Sequence, residues 1–229
     1  MVELRKVFRR EIKRMKKDLL DLGRMAERAI QNSIEAVEKK DLELAEIVLK
    51  EDGLIDKKTL ELEERGMKIA ATQFPVAKDL RLIYSILFMS IHFERMGDLA
   101  FNIAKIIKHI SETSGKDEEF IVRVVTKMGN ETRTLVSLSL KAFEENDVEL
   151  AKKLPSYDEP IDNLYKEFFK EVARVSLKEH SLDWAASMVL ITRYLERIAD
   201  HAVDIGERVS FIVTGELEGF SSDVDKKQY

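Results

Sequence analysis

The chain has 229 residues, of which 45% are hydrophobic and 35% are charged, and its formal net charge is −5. The acidic balance argues against a nucleic-acid partner, and the lack of cysteine excludes disulfides and thiolate ligands, so a metal would be held by oxygen or imidazole. No apolar run approaches the roughly 20 residues of a bilayer span, and the N-terminus lacks the apolar stretch of a signal peptide, so we expect a cytoplasmic protein.

Apolar residues recur every three or four positions along nearly the whole chain, which predicts helices and no strands. In chain order we expect six helices, over about 3–40, 42–72, 76–112, 118–146, 148–178 and 181–214. Breaks are expected at 39–41, 73–75, 114–115, 146–147 and 179–181, where polar, glycine or proline residues interrupt the apolar pattern.

The second half of the chain repeats the first. At a shift of 106 residues, segment 41–45 (DLELA) matches 147–151 (DVELA). Further on, at a shift of 102, segment 94–98 (ERMGD) matches 196–200 (ERIAD). We therefore predict an all-α fold of two tandem homologous antiparallel three-helix bundles, related by a pseudo-twofold repeat. The expected boundaries are 1–113 for the first bundle, 117–214 for the second and 215–229 for a flexible C-terminal tail.

Each repeat carries the pattern acid-x-x-x-acid twice. The pairs are Asp52/Asp56 and Glu94/Asp98 in the first repeat, and Asp158/Asp162 and Glu196/Asp200 in the second. Positions i and i+4 share one face of a helix, where like charges destabilise the helix by a few tenths of a kcal/mol. A bound cation would turn this repulsion into attraction.

The spacing of these acids predicts that the pairs meet. In an antiparallel helix hairpin, residues at one level lie equally far from the turn. Asp52 and Asp98 are equidistant from Pro75, and the second set of acids is symmetric about residue 179. Both centres coincide with expected breaks, so four carboxylates should converge in each repeat. We predict these eight acids as metal ligands, with Asn102 and Asp204, one helical turn further on, as additional ligands.

Oxygen ligands suit hard cations, with iron as the first choice and manganese, magnesium, calcium or zinc as alternatives. Two other hypotheses remain open. The acids could belong to a metal-free helical scaffold, where they serve helix–helix pairing through lysine or arginine on a neighbouring helix. Arg95 and Arg197 could also pair with them, but they directly follow Glu94 and Glu196 and so point off that face. The chain could also be a carboxylate-bridged di-iron enzyme, but such bundles use Glu-x-x-His, and no histidine here follows a glutamate by three residues. His92 and His201 are interpreted as packing or surface residues.

Three segments resemble a known family: 73–81 (QFPVAKDLR), 94–104 (ERMGDLAFNIA) and 196–201 (ERIADH). They are similar to the PhoU family of accessory regulators of phosphate uptake, and the likeness extends over about 5–214. Ala199 departs from the family pattern, where glycine is usual. The resemblance implies two three-helix bundles whose E(D)xxxD motifs bind multinuclear clusters of iron or another metal.

The resemblance also implies a role and partners. It points to a non-catalytic negative regulator of phosphate uptake and of phosphate-starvation signalling. The partners it implies are the ATPase of a phosphate ABC transporter and a sensor histidine kinase, and it implies a homo-oligomer such as a dimer.

The first 20 residues contain eight lysines and arginines against three acids. One hypothesis is a peripheral contact between this segment and an anionic membrane surface or an acidic partner. The alternative is that these residues form the solvated face of the first helix.

Overall fold

The computed structural model describes residues 2–110, 118–175, 182–217 and 219–220. They form six helices: α1 (Val2–Lys39), α2 (Leu42–Thr72), α3 (Ala77–Ile110), α4 (Glu118–Glu145), α5 (Val148–Val175) and α6 (Leu182–Thr214). None of the described residues is in a strand. The predicted all-α fold is confirmed, and helix ends within the described ranges agree with the sequence to one residue. The expected breaks at 114–115 and 179–181 lie outside the described residues.

The helices form two bundles that share one core. Helices α1, α2 and α3 pack on one another, as do α4, α5 and α6, which confirms the predicted pair of three-helix bundles. The bundles meet where α1 packs on α4 and α3 packs on α6. Fully buried side chains such as Leu22, Ile103, Leu135 and Ile198 belong to one continuous hydrophobic cluster. The two acidic hairpins, α2–α3 and α5–α6, are therefore held on a single framework.

The turn from α1 to α2 ends one helix and begins the next. Lys40 adopts a left-handed conformation (φ 53°). The N–H of Asp41 then donates to the carbonyl of Ala36 at 3.1 Å, as in a Schellman C-cap. The Asp41 carboxylate accepts from the N–H groups of Glu43 and Leu44, which caps the N-terminus of α2.

The turn from α4 to α5 repeats this arrangement. Asn146 is left-handed (φ 52°), and the N–H of Asp147 donates to the carbonyl of Ala142 at 2.9 Å. The Asp147 carboxylate accepts from the N–H of Leu150 at 2.9 Å. One aspartate in each repeat thus closes one helix and caps the next, so the sequence repeat extends to the detail of backbone conformation.

Two glycines bring α1 and α4 close together. A Cβ atom added at Gly23 would lie 2.3 Å from Cδ2 of Leu140, and one added at Gly129 would lie 2.7 Å from Cδ1 of Ile34. Gly23 corresponds to Gly129 at the 106-residue shift, and Ile34 corresponds to Leu140. Each repeat therefore inserts an aliphatic side chain into the space left by the glycine of the other.

No described helix combines the length and the apolar content that a membrane crossing requires. Within the predicted tail, residues 215–217 and 219–220 are described and are not helical. The N–H of Phe220 donates to Oε1 of Glu207 on α6 at 2.6 Å, and its ring packs against the core. Residue 218 and residues 221–229 lie outside the described residues.

Candidate metal sites

The first acidic cluster consists of Asp52 and Asp56 on α2 with Glu94 and Asp98 on α3. Asp52, Asp56 and Asp98 each place a carboxylate oxygen within 4.8 Å of the other two. The α2–α3 hairpin produces this approach, because it aligns residues that are equally distant from the turn. Oxygens at this separation could bind one cation between them.

Burial and the charges of neighbouring acids raise the pKa values of Asp52, Glu94 and Asp98. The pKa of Asp52 is raised first by burial and then by the charges of Asp56 and Asp98. Burial is also the first cause of the raised pKa of Glu94, followed by Asp98 and Asp56, with Arg95 partly opposing them. The pKa of Asp98 is raised by burial and by Asp56. A cation in the cluster would relieve the repulsion, so these residues fit a metal site.

The second acidic cluster consists of Asp158 and Asp162 on α5 with Glu196 and Asp200 on α6. Burial, followed by the charges of Asp162, Asp200 and Glu196, raises the pKa of Asp158 to about 7. Burial, followed by Asp200, raises the pKa of Glu196 to about 7. The pKa of Asp200 is also raised, by burial and then by Asp162.

One oxygen of the second cluster has no partner. Oδ1 of Asp158 is buried and accepts no hydrogen bond from any described residue. Asp158 lies on α5 between Pro155 and Pro160, and the helix continues through both prolines. Buried polar atoms in folded proteins are normally satisfied by a donor or a cation. An unpartnered, buried Oδ1 of Asp158 is therefore what a metal ligand would provide.

The second cluster differs from the first in its basic neighbours. Nη1 of Arg193 donates to both carboxylate oxygens of Glu196. Nζ of Lys166 lies 3.9 Å from Asp162. Among the described residues, three carboxylates grouped within 4.8 Å occur in the first cluster but not in the second. The residue equivalent to Arg193 in the first repeat is Ile91, so only the second cluster has this arginine.

The arginine that pairs with these acids is Arg193, and sequence reasoning did not name it. Arg95 and Arg197, which directly follow Glu94 and Glu196, are both exposed. Arg193 precedes Glu196 by three residues, and this i, i+3 spacing is the signal that could have identified it.

The two additional predicted ligands have different surroundings. Asn102 is half-buried on α3, one turn beyond Asp98. Asp204 instead faces two histidines. Its Oδ2 lies 3.3 Å from Nδ1 of His92 and 3.6 Å from Nδ1 of His201. Sequence reasoning left both histidines out of any site.

The basic first helix is partly neutralised within the fold. Nε of Arg14 lies 4.0 Å from Asp18 on the same helix. Nζ of Lys16 lies over the ring of Phe143 on α4, 5.9 Å from its centroid, and burial lowers the pKa of this lysine. Some of the basic residues that could have faced an anionic surface are therefore engaged by α1 itself and by the second bundle.

A family model described as "PhoU domain" matches the chain twice, over residues 19–107 and 125–209. The phosphate-specific transport system accessory protein PhoU homolog of Clostridium acetobutylicum is 33% identical over 213 residues, which cover 92% of this chain and 96% of that protein. PhoU homolog 1 of Thermotoga maritima is 35% identical over 209 residues, which cover 91% of this chain and 89% of that one.

Solved structures match the fold over nearly its full length. The crystal structure of PhoU from Pseudomonas aeruginosa superposes with a TM-score of 0.85 at 30% identity and covers 91% of this chain and 100% of that chain. The phosphate transport system regulatory protein PhoU from Streptococcus pneumoniae gives a TM-score of 0.84 at 27% identity, with 92% and 99% covered.

Proposed function

Because the chain belongs to the PhoU family, we propose that it is a non-catalytic accessory regulator of a phosphate transport system and that its two acidic clusters bind metal. The proposed role is negative regulation of phosphate uptake and of phosphate-starvation signalling. The proposed partners are the transporter ATPase and a sensor histidine kinase, with the protein acting as a homo-oligomer. The relatives are named as accessory proteins of the phosphate-specific transport system, which supports the link to that transporter.

The observation that carries the metal proposal is the close approach of three carboxylates in the first cluster, supported by the mutual repulsion of the four acids in the second. In the first cluster, oxygens of Asp52, Asp56 and Asp98 lie within 4.8 Å of one another. In the second cluster, the buried Oδ1 of Asp158 lacks a partner among the described residues. Carboxylates this close to one another are expensive to ionise together, and a hard cation offsets that cost.

Iron is the proposed metal, in clusters of more than one ion. Four carboxylates carry enough negative charge to balance several cationic charges, and oxygen ligands suit iron(III). The bound metal would hold α2 against α3 and α5 against α6 and would remove the repulsion between their acids. Arg193 already offsets part of the charge in the second cluster, so we expect this cluster to bind less positive charge than the first.

Metal analysis of the protein purified without chelator tests this proposal. We expect more than one iron ion per chain in the wild type. Asp52→Asn with Asp98→Asn should remove the metal of the first cluster, because the amide substitution removes charge without changing volume. Asp158→Asn with Asp200→Asn should do the same for the second cluster.

Exposed acids on α2 provide the matched control. Glu61→Gln with Glu64→Gln removes two negative charges outside the cluster and should leave the metal content unchanged. Less than one ion per chain in the wild type, or equal metal content in all variants, would contradict the proposal. Oxygen consumption by the iron-loaded protein would instead support the di-iron enzyme hypothesis.

Phosphate uptake measured in cells tests the regulatory role. In cells that lack their own PhoU protein, expression of this chain should reduce phosphate uptake and the expression of starvation-response genes. The two asparagine pairs should weaken this repression if metal is required, whereas the Glu61/Glu64 control should repress normally. Uptake that is unchanged by the wild-type chain would exclude the proposed regulation.

A further inference from the structure

Three metal-ligand side chains meet between the two bundles. His92 lies on α3 in the first bundle, while His201 and Asp204 lie on α6 in the second. The two Nδ1 atoms are 3.2 Å apart, and Oδ2 of Asp204 lies 3.3 Å from the first and 3.6 Å from the second. The side chains of His92 and His201 are only 7% and 12% exposed, whereas that of Asp204 is 42% exposed. The three atoms form a nearly equilateral triangle, and Asp204 is the most exposed of the three side chains.

The triangle has the size of one face of a tetrahedral zinc site. With metal–ligand bonds of about 2.0–2.1 Å, two ligand atoms of a tetrahedron are separated by about 3.3–3.4 Å. A point equidistant from the three atoms lies about 2.0 Å from each of them, given the separations of 3.2, 3.3 and 3.6 Å. The three separations therefore match ordinary bond lengths for a metal ion that sits slightly above the plane of the triangle.

The site occurs where the two repeats differ. At the 102-residue shift, Tyr194 corresponds to His92, and Asn102 corresponds to Asp204. Leu99 corresponds to His201. The repeat thus explains the paired acids but not this group, which occurs once among the described residues and joins unlike positions of α3 and α6.

The first histidine ring is held in place by its neighbours. The ring of Phe88, one turn earlier on α3, packs against His92 with centroids 4.4 Å apart. The guanidinium of Arg208 on α6 lies 3.6 Å from the centroid of Phe88. Residues that fix the orientation of a ligand contribute to metal affinity because the ligand does not have to be ordered on binding.

From this geometry we propose that His92, His201 and Asp204 bind one divalent transition-metal ion that prefers imidazole, zinc above all, and that this ion links the two bundles. Water would occupy the fourth position, on the side where Asp204 is exposed. The site is distinct from the two acidic clusters, since each of those lies within one hairpin and contains only carboxylates. Imidazole suits zinc, whereas carboxylates suit harder cations, so the two kinds of site should select different metals.

Zinc X-ray absorption on the wild-type protein is the first test. The metal-free protein is loaded with one equivalent of Zn²⁺, so that the preferred site fills first. We expect a shell of four nitrogen and oxygen ligands at about 2.0 Å, with the outer-shell scattering of two imidazoles. A spectrum with oxygen ligands and no imidazole scattering would overturn the proposal, because it would place the zinc in an acidic cluster.

Variants then assign the residues by zinc stoichiometry. His92→Gln and Asp204→Asn should each lose one tightly bound zinc per chain. His109→Gln is the matched control, since His109 also lies on α3 but is 63% exposed, and it should keep the zinc. Circular dichroism would verify that each variant is folded. Equal zinc binding by wild type, His92→Gln and Asp204→Asn would exclude the site, as would a loss of zinc in His109→Gln.

The experiments distinguish the proposal of iron in the acidic clusters from the proposal of zinc at His92, His201 and Asp204. The asparagine pairs at Asp52/Asp98 and Asp158/Asp200 should lose iron and keep the imidazole-bound zinc. His92→Gln should keep the iron and lose the imidazole-bound zinc. Zinc bound by two imidazoles in a protein without iron would leave this inference standing and overturn the acidic-cluster proposal, and iron without such zinc would do the opposite.

Discussion

Equivalent acids in the two repeats have different surroundings, and burial decides their pKa values more than pairing does. Glu94 and Glu196 occupy the same position in their repeats, and only Glu196 has an arginine that donates to both of its oxygens. The pKa of Glu196 is nevertheless raised to about 7, because burial and Asp200 outweigh Arg193. An ion pair at this position reduces the cost of the charge without removing it.

The raised pKa values predict that the metal-free protein loses stability as the pH rises. Asp158 and Glu196 have ordinary pKa values of 3.8 and 4.5 and reach about 7 in the folded state. At pH values between the ordinary and the folded-state pKa of these groups, the folded chain binds more protons than the unfolded chain. The free energy of unfolding therefore falls with increasing pH. It should level off at about pH 8, one unit above these pKa values, where both states are largely deprotonated.

Urea denaturation in the presence of chelator, from pH 5 to pH 8, measures this slope. Asp158→Asn should flatten it and should be more stable than the wild type at pH 8, because it removes a charge that is unfavourable in the folded state. A stability that rises from pH 5 to pH 7 in the metal-free wild type would contradict the prediction. Metal should reverse the trend, since protons compete with the cation for the same oxygens.

The sequence predicts a site well when the residues of that site lie on one hairpin, and poorly when they come from two bundles. The convergence of Asp52, Asp56 and Asp98 follows from i, i+4 spacing and from the position of one turn, and both are readable in the chain. The meeting of His92 with Asp204 depends on how α3 of one bundle lies against α6 of the other. No periodic pattern specifies that contact, because 112 positions separate the two residues and unlike positions of the repeats meet.

The duplicated turn shows how one aspartate defines both the end of one helix and the start of the next. Asp41 and Asp147 each donate through the backbone to close one helix and accept through the carboxylate to start the next. Both breaks could be predicted from the sequence, because an aspartate precedes a new apolar run at each of them. The sequence did not predict the left-handed backbone of Lys40 and Asn146, since glycine, the usual residue there, is absent.

Removal of either cap should destabilise the fold by a similar amount. Asp147→Ala loses the carboxylate that accepts from the N–H of Leu150, and the expected cost is about 1 kcal/mol. Asp41→Ala should cost about the same. Chemical denaturation at neutral pH measures both.

Glu131→Ala is the control for these caps, because Glu131 is exposed in the middle of α4, and it should change stability by less than about 0.5 kcal/mol. If Asp41→Ala and Asp147→Ala reduce stability no more than this control, water replaces the lost side-chain hydrogen bonds without a loss of stability.

The continuous core predicts that both bundles unfold together. Leu62 lies on α2, which packs only on α1 and α3 among the described helices, and its side chain is buried. Leu62→Ala should cost about 2–5 kcal/mol. Trp184, the single tryptophan of the chain, is buried on α6 in the other bundle and reports on its unfolding.

The fluorescence of Trp184 and far-UV circular dichroism should therefore give the same denaturation midpoint, and Leu62→Ala should lower both equally. Phe168→Ala, in the core of the second bundle, is the complementary variant and should also lower both denaturation midpoints. A Trp184 transition that Leu62→Ala leaves unchanged would mean that the bundles unfold independently.

The reciprocal insertion of Leu140 at Gly23 and of Ile34 at Gly129 has a consequence for the origin of the molecule. A surface that receives the same feature it presents is self-complementary, which is the property of an isologous contact between identical subunits. Two copies of a half-length ancestor could have associated through this contact, and fusion of their genes would have made the association independent of protein concentration. Fusion also freed each half to mutate alone. Arg193 and the pairing of His92 with Asp204 are differences that two identical subunits could not have acquired.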